Sequence, residues 1–321
     1  MTDFCALVGD IGGTNARLAF AEFSDGVPVI SQVKHFASGQ YPSGGAIVRD
    51  YLAQTARLPD AAALAVAGPV VDGTVQFTNL GWTVSESELH GLGIPAVRLL
   101  NDFESLAVAT RYFVPADLHR VGPVEKGDAK ATMAVIGPGT GFGASALVHN
   151  GDQTIAMASE GGHASFAPGD EIEREILGLI ARKHNHVSIE RIVSGPGLLN
   201  LHAALNEIEG IAGVAGTPTE ITGRALKGEA PFVRTVLRFC AILGSVAGDF
   251  ALAYGARGGV FIAGGIVPTI LPLLEKSDFR RRFEAKGRFK TYLAPIPTHI
   301  ILNPHAAFLG AAAIAHRFKA E

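Results

Sequence analysis

Short apolar runs, many of them closed by glycine, recur along the whole chain. Ala6–Val8 leads into Gly9-Asp10-Ile11-Gly12-Gly13-Thr14, and Ala16–Phe20 follows. Met133–Ile136 leads into Gly137-Pro138-Gly139-Thr140-Gly141-Phe142-Gly143, and Ala144–Val148 follows. Runs this short read as buried strands, so each stretch predicts strand, glycine turn, strand. After Ser24-Asp25-Gly26, residues 29–36 read as another strand, and 45–56 have helical spacing. Residues 61–67 form an apolar strand stopped by Gly68-Pro69, and 70–78 fit a hairpin around Asp72-Gly73. Residues 96–100 run as a strand straight into Asn101-Asp102, with 103–112 helical beyond. Strands and helices alternate, which predicts an α/β layer fold.

A loop-rich stretch with Pro115, Gly122-Pro123 and Lys126-Gly127-Asp128 follows Tyr112 and marks a boundary. Residues 170–183 predict a helix capped by Asp170, with acids at its start and Arg182-Lys183 at its end. Residues 232–254 predict a long apolar helix. Its Gly244 and Gly248 cost helix propensity, which points to close packing against a neighbour. Residues 258–265 read as a strand stopping in a third glycine turn. The next helix starts near Pro268 and breaks at Pro272. Asn303-Pro304 turns the chain into an alanine-rich last helix, and Arg280-Arg281-Arg282 reads as a solvated helix face.

At 321 residues the chain is long enough for two domains. With 48% hydrophobic and 18% charged residues, it has ample material for cores. A net charge of -3 gives no global basic field for nucleic acid. No basic segment precedes an apolar run at the N-terminus, so no signal peptide is expected. The longest uncharged stretch, 258–274, is broken by glycines and prolines and reads as strand, turn and helix, not a membrane span. Cys5 and Cys240 sit in apolar runs and are expected as buried thiols. A cytoplasmic protein is the expectation.

Glycine-rich turns let backbone N–H groups approach a phosphate without Cβ interference. Two such turns suit the two ends of a triphosphate. The second formally matches a dinucleotide fingerprint, Gly139-x-Gly141-x-x-Ala144 with Glu160 further on, but that motif needs a helix next and a strand is predicted. Asp10 lies within the first turn motif. A carboxylate there would repel phosphate unless a cation lies between, so Asp10 is a candidate magnesium ligand, direct or through water; the plainer alternative is a turn-stabilising aspartate. Asp102, at a strand's carboxyl end, is placed to take a proton from an attacking hydroxyl, and equally to cap a helix. Glu160 and His163 flank a glycine pair and suit polyol hydroxyls, or are ordinary surface residues. Glu190 is a weaker candidate still on spacing alone, with Arg191 beside it as a ready partner.

Taken together, Gly9–Ala19, Asn101-Asp102-Phe103, Gly137–Gly143, Glu160-Gly161-Gly162-His163, Ser194-Gly195-Pro196-Gly197-Leu198 and Phe261–Pro268 resemble the bacterial ATP-dependent glucokinases of the non-repressor type, from about residue 5 to about 315. The resemblance implies the actin-like (ribonuclease H-like) ATPase fold, with two α/β domains around a cleft: residues 1–112 with 302–321, and residues 113–301. It implies Asp102 as catalytic base, with Asn101, Glu160, His163 and Glu190 binding D-glucose. Gly9, Asp10, Ile11, Gly12, Gly13 and Thr14 would form one phosphate loop, Gly137, Gly139, Thr140 and Gly141 the other, and Gly264 and Gly265 the turn beside adenosine. ATP and Mg2+ are the implied cofactors. A homodimer without nucleic-acid or membrane partners is the implied state, with domain closure on sugar before transfer. Pro138 and Pro272 depart from the family pattern. Another hexose as acceptor, or a non-catalytic sugar- or nucleotide-binding regulator or actin-like scaffold, are the alternatives.

Overall fold

The computed structural model describes residues 4–77, 80–151, 153–213 and 215–319. Its strands are β1 (Ala6–Ile11), β2 (Asn15–Ser24), β3 (Val27–Ala37), β4 (Ala61–Val66), β5 (Thr74–Phe77), β6 (Trp82–Ser85), β7 (Ala96–Asn101), β8 (Leu118–Val121), β9 (Met133–Pro138), β10 (Phe142–Asn150), β11 (Gln153–Ser159), β12 (Gly259–Ile262) and β13 (Thr298–Ile301). The chain divides into two compact units, one of residues 1–114, 154–158 and 303–321, the other of 115–153 and 159–302.

The first unit is built on a sheet of order β3-β2-β1-β4-β7. β1 runs antiparallel to β2 and parallel to β4, which runs parallel to β7. Every residue of β4 is buried, as expected of a parallel strand covered on both faces. Alternation along the strands separates the two faces. Leu7, Leu18 and Leu64 pack with Ile47, Val48 and Tyr51 of the Gly44–Thr55 helix. Ala6, Val8 and Ala63 face Phe308, Ala311 and Ala312 of the last helix, Ala306–Arg317. Small residues on that second face let the helix lie close to the sheet. The turn at Asp72-Gly73 forms with both residues at positive φ, 47° and 66°. Its outgoing strand β5, however, pairs with β6, a strand not foreseen. Thr78, the end of the expected hairpin, lies outside the described residues, as does Asp152 beyond β10.

The second unit carries the sheet β11-β10-β9-β12-β13-β8. β12 runs parallel to both β9 and β13. A strand, not a helix, follows the second glycine turn: β10 returns antiparallel to β9, which removes the context a dinucleotide fingerprint needs. The Ala230–Tyr254 helix is long and apolar enough to cross a membrane by length and composition, and 67% of its most apolar window is buried inside the fold. Its Gly244 and Gly248 lie against backbone: a Cβ would stand 2.1 Å from Phe279 O and 2.4 Å from Phe283 O. The proline-bearing segment breaks as expected, into Ile266–Thr269 and Leu271–Leu274, with Pro272 in the first turn of the second piece.

Contrary to the sequence expectation, Arg280-Arg281-Arg282 is not a solvated face. Arg282 is 7% exposed and binds the fully buried Glu173 at 2.8 Å. Arg280 donates to the carbonyls of Ala294 and Ile296 and to Glu284. Only Arg281, paired with Asp278, remains exposed. A charge run has helical spacing, so its members point different ways, and one of them meets a buried carboxylate that offsets its desolvation. A cavity of about 710 Å3 bordered by Arg234, Arg238, Arg281 and Arg282 is thus ringed by arginines already matched to carboxylates. Cys5 and Cys240 are buried free thiols, and desolvation pushes them up to about 11 and about 12, which keeps them unreactive near neutral pH.

Candidate active site

In the first unit the register lines up three strand ends: Ile11 lies opposite Val66, and Val66 opposite Asn101. Carboxyl ends of parallel strands are where α/β sheets hold ligands. The first glycine turn, Ala67-Gly68 and Asn101-Asp102 therefore emerge side by side. Asn101, not Asp102, caps the Asp102–Ala109 helix: its Oδ1 accepts from Phe103 N at 2.9 Å and Glu104 N at 3.3 Å. The Asp102 carboxylate also accepts from Phe103 N, at 3.0 Å, and is part-buried. The helix is held from behind, where Ser105 Oγ donates to Ala307 O at 2.6 Å. Gly310 touches it so closely that a Cβ would stand 1.8 Å from Ser105 O. Asp102 thus starts from a fixed backbone.

Asp10 is neither free nor a turn former. It lies in β1, directly opposite Arg17 of β2, and Oδ2 takes a charge-assisted bond of 2.5 Å from that guanidinium. Arg17 also donates to Pro304 O at 2.7 Å and sits over the Phe308 ring. The glycines of this turn have different reasons to be glycine. A Cβ on Gly9 would stand 2.5 Å from Leu18 Cδ2 and 2.8 Å from Leu64 Cδ2, so Gly9 serves sheet packing. Gly12 N donates to Asn15 O at 2.9 Å, closing the turn, and Ser38 Oγ donates to Gly12 O. Gly13 faces open space, where a ligand can approach the backbone.

In the second unit the second and third glycine turns lie against each other. A Cβ on Gly137 would stand 2.5 Å from Ala263 O, and one on Gly264, at φ 92°, 2.3 Å from Pro138 O. Gly139 and Gly265 face open space, as Gly13 does. Gly139 N donates to Gly141 O at 2.8 Å across Thr140. Glu190 does not pair with Arg191; its Oε2 accepts from Phe142 N at 2.9 Å. Glu190 N donates to Gly162 O at 3.0 Å, which brings the Glu160–His163 segment alongside. The Glu160 and His163 side chains are exposed, 4.0 Å apart. His186 Nε2–H donates to His163 O, and Tyr254 O–H meets Ser159 Oγ at 2.9 Å. Glu160, His163, Glu190 and the second glycine turn therefore form one neighbourhood.

The glucokinase family model matches residues 7–318. The chain belongs to the glucokinase family. It is 46% identical over 308 residues to a glucokinase of Caulobacter sp. (strain K31), covering 95% of this chain and 93% of that one. It is 40% identical over 316 residues to a glucokinase of Stenotrophomonas maltophilia (strain K279a), covering 96% and 94%. Among solved structures it is similar to a glucokinase from an Antarctic psychrotroph, with a TM-score of 0.90, 37% identity and coverage of 98% and 99%. A glucokinase from Balamuthia mandrillaris in complex with glucose shares the fold at a TM-score of 0.81, 20% identity and coverage of 98% and 94%. The architecture is the two-domain, actin-like ATPase fold. Within this glucokinase-family chain, the contacts of Arg17, the Ser38 hydroxyl and the Phe142 amide are not legible in the sequence. Arg17 was visible in the first motif, but only the β1–β2 register makes it the partner of Asp10.

Proposed function

We propose that the protein transfers the γ-phosphoryl group of Mg·ATP to the 6-hydroxyl of D-glucose, giving glucose 6-phosphate and ADP. Membership of the glucokinase family across residues 7–318 carries the reading. Asp102 is the proposed base: a carboxylate held at a strand's carboxyl end accepts the hydroxyl proton as oxygen attacks phosphorus. Asn101, Glu160, His163 and Glu190 are the proposed sugar ligands, and an epimer would leave such partners unpaired. The turns at Gly9–Thr14 and Gly137–Gly141 are the proposed phosphate loops, supported by the open faces of Gly13 and Gly139, with Gly264-Gly265 beside adenosine. The two compact units are taken as the two domains.

The donor chemistry suits magnesium carried by the nucleotide. Mg2+ commonly takes one or two carboxylates with phosphate oxygens and waters, and Asp10 is such a carboxylate beside the first glycine turn. Asp10, with one oxygen committed to Arg17, would hold it through water. Bound there, the ion would supply positive charge against the transferring phosphates. The proposed working form is a cytoplasmic homodimer without nucleic-acid or membrane partners, supported by the family resemblance.

The test is ADP release from Mg·ATP with D-glucose, mannose, galactose, fructose or no sugar. Release far faster with glucose than in the other lanes is expected. Equal release in all lanes would leave an ATPase with the wrong acceptor assigned. No release would favour a binding-only regulator.

A further inference from the structure

The second glycine turn is gripped at both ends by one short segment, residues 190–195. At one end the Glu190 carboxylate accepts from Phe142 N at 2.9 Å. At the other, Gly195 N donates to Gly139 O at 2.8 Å. The segment between them is braced: Ser194 Oγ donates to Glu190 O at 2.7 Å and accepts from Gly197 N at 2.9 Å, and Val193 N donates to Ile189 O at 2.7 Å. The carboxylate lies directly against the turn: a Cβ on Gly141 would stand 2.5 Å from Glu190 Oε2.

We infer that Glu190 is a positioning residue for the second glycine turn as well as a sugar ligand, so that sugar and nucleotide bind cooperatively through this one carboxylate. The inference rests on the proposed assignment of sugar to Glu190 and phosphate to the turn. A carboxylate has two oxygens, and here one already holds the turn. A sugar hydroxyl donating to the group restricts its remaining rotamer freedom, and with it that of the Phe142 amide and the turn. The ordering cost met by the first ligand is then not met by the second, which is positive coupling without a large movement. Immobilising one such side chain corresponds to about a three- to ten-fold change in affinity. By reciprocity the nucleotide tightens sugar by the same factor.

Two readouts separate this inference from the kinase reading. Hydrogen exchange at the Phe142 amide needs no ligand. Exchange should be faster in Glu190→Ala than in wild type by about ten-fold, and slow again in Glu190→Gln, whose amide oxygen still accepts. Equal exchange in all three overturns the positioning role. Glu190→Asp keeps the charge but is one methylene short, and replaces Glu190→Ala if that variant does not fold. ADP titrations by calorimetry form the second readout. Wild type should bind ADP about three- to ten-fold more tightly with saturating D-glucose. Without sugar, Glu190→Ala should bind ADP more weakly than wild type, and Glu190→Gln should match wild type. ADP affinity indifferent to glucose in an enzyme that still shows glucose-dependent ADP release overturns the coupling and leaves the kinase reading intact. Loss of that release in wild type instead overturns the kinase reading, and the Phe142 exchange still decides whether Glu190 positions the turn.

Discussion

Asp102 and Asp10 are held in different ways. Asp102 begins a helix whose cap is supplied by its neighbour, so its carboxylate is not needed for capping. Proton transfer is the role proposed for it. Asp102→Asn should keep D-glucose affinity and lower turnover by about 10²-fold or more, as expected for loss of a general base. Turnover near wild type, measured by coupled ADP release, would remove Asp102 from that role. Asp10 was legible in sequence as a candidate metal ligand or turn former; its partner across the sheet, Arg17, was not. Seven positions apart, the two side chains meet only because a hairpin register sets them opposite each other. A motif gives residue types; which of them touch is decided across strands.

At the scale of elements, two helical glycines predict opposite outcomes. Gly244 lies where the Ala230–Tyr254 helix touches the Phe279–Glu284 helix, with no space for a Cβ. Gly244→Ala forces the backbones apart and should destabilise by about 1–3 kcal/mol. Gly178 lies on the exposed face of the Glu171–Ala181 helix with nothing within 4 Å of an added Cβ. Gly178→Ala should stabilise by about 0.5–1 kcal/mol through helix propensity. Urea unfolding of both variants checks the pair, and a loss of stability in both would break the argument. The sequence announced the close packing at Gly244, because glycine in a long apolar helix needs a reason. It did not announce the partner, which arrives from some 35 residues downstream, well outside the roughly 11–18-residue window over which periodicity is read. β6 was missed for a related reason: a four-residue strand is too short to show a period.

For the molecule as a whole, acid sensitivity follows from its histidines. Burial first, then the Arg234 and Arg224 charges, push His202 below the ordinary histidine value. Its hydrogen bonds explain why it stays neutral. Asn206 Nδ2 donates to Nε2 at 3.1 Å, while Nδ1–H donates to Thr235 Oγ1 at 2.9 Å. Asn206 cannot turn round, since Arg234 donates to its Oδ1 and its Nδ2 also donates to Gly213 O. A second proton would face a donor. Burial also lowers His299, His305 and His316, aided by Arg120, by Arg17 and His35, and by Lys319 respectively. The unfolded chain binds these protons near pH ~6.5 while the folded chain still excludes them. Their stabilisation is therefore complete above that pH and is lost as pH falls through the lowered folded values. The melting temperature should drop between pH 7.5 and 5, with a shallower slope in His202→Phe; a flat profile in wild type would contradict this.

The sequence by itself determined the two glycine hairpins, the alternation of strand and helix, the packed glycines of the long helix, and the residue types of the proposed site. Each of these is local, fixed by hydrophobic period, by glycine conformation or by caps within a few residues. Only the tertiary structure decided that Asp10 pairs with Arg17, that Arg282 is buried against Glu173, and that Glu190 holds the Phe142 amide. Those partners lie 7, 109 and 48 positions apart. Strand register and helix docking bring them together, and neither leaves a mark in the periodicity of a single chain.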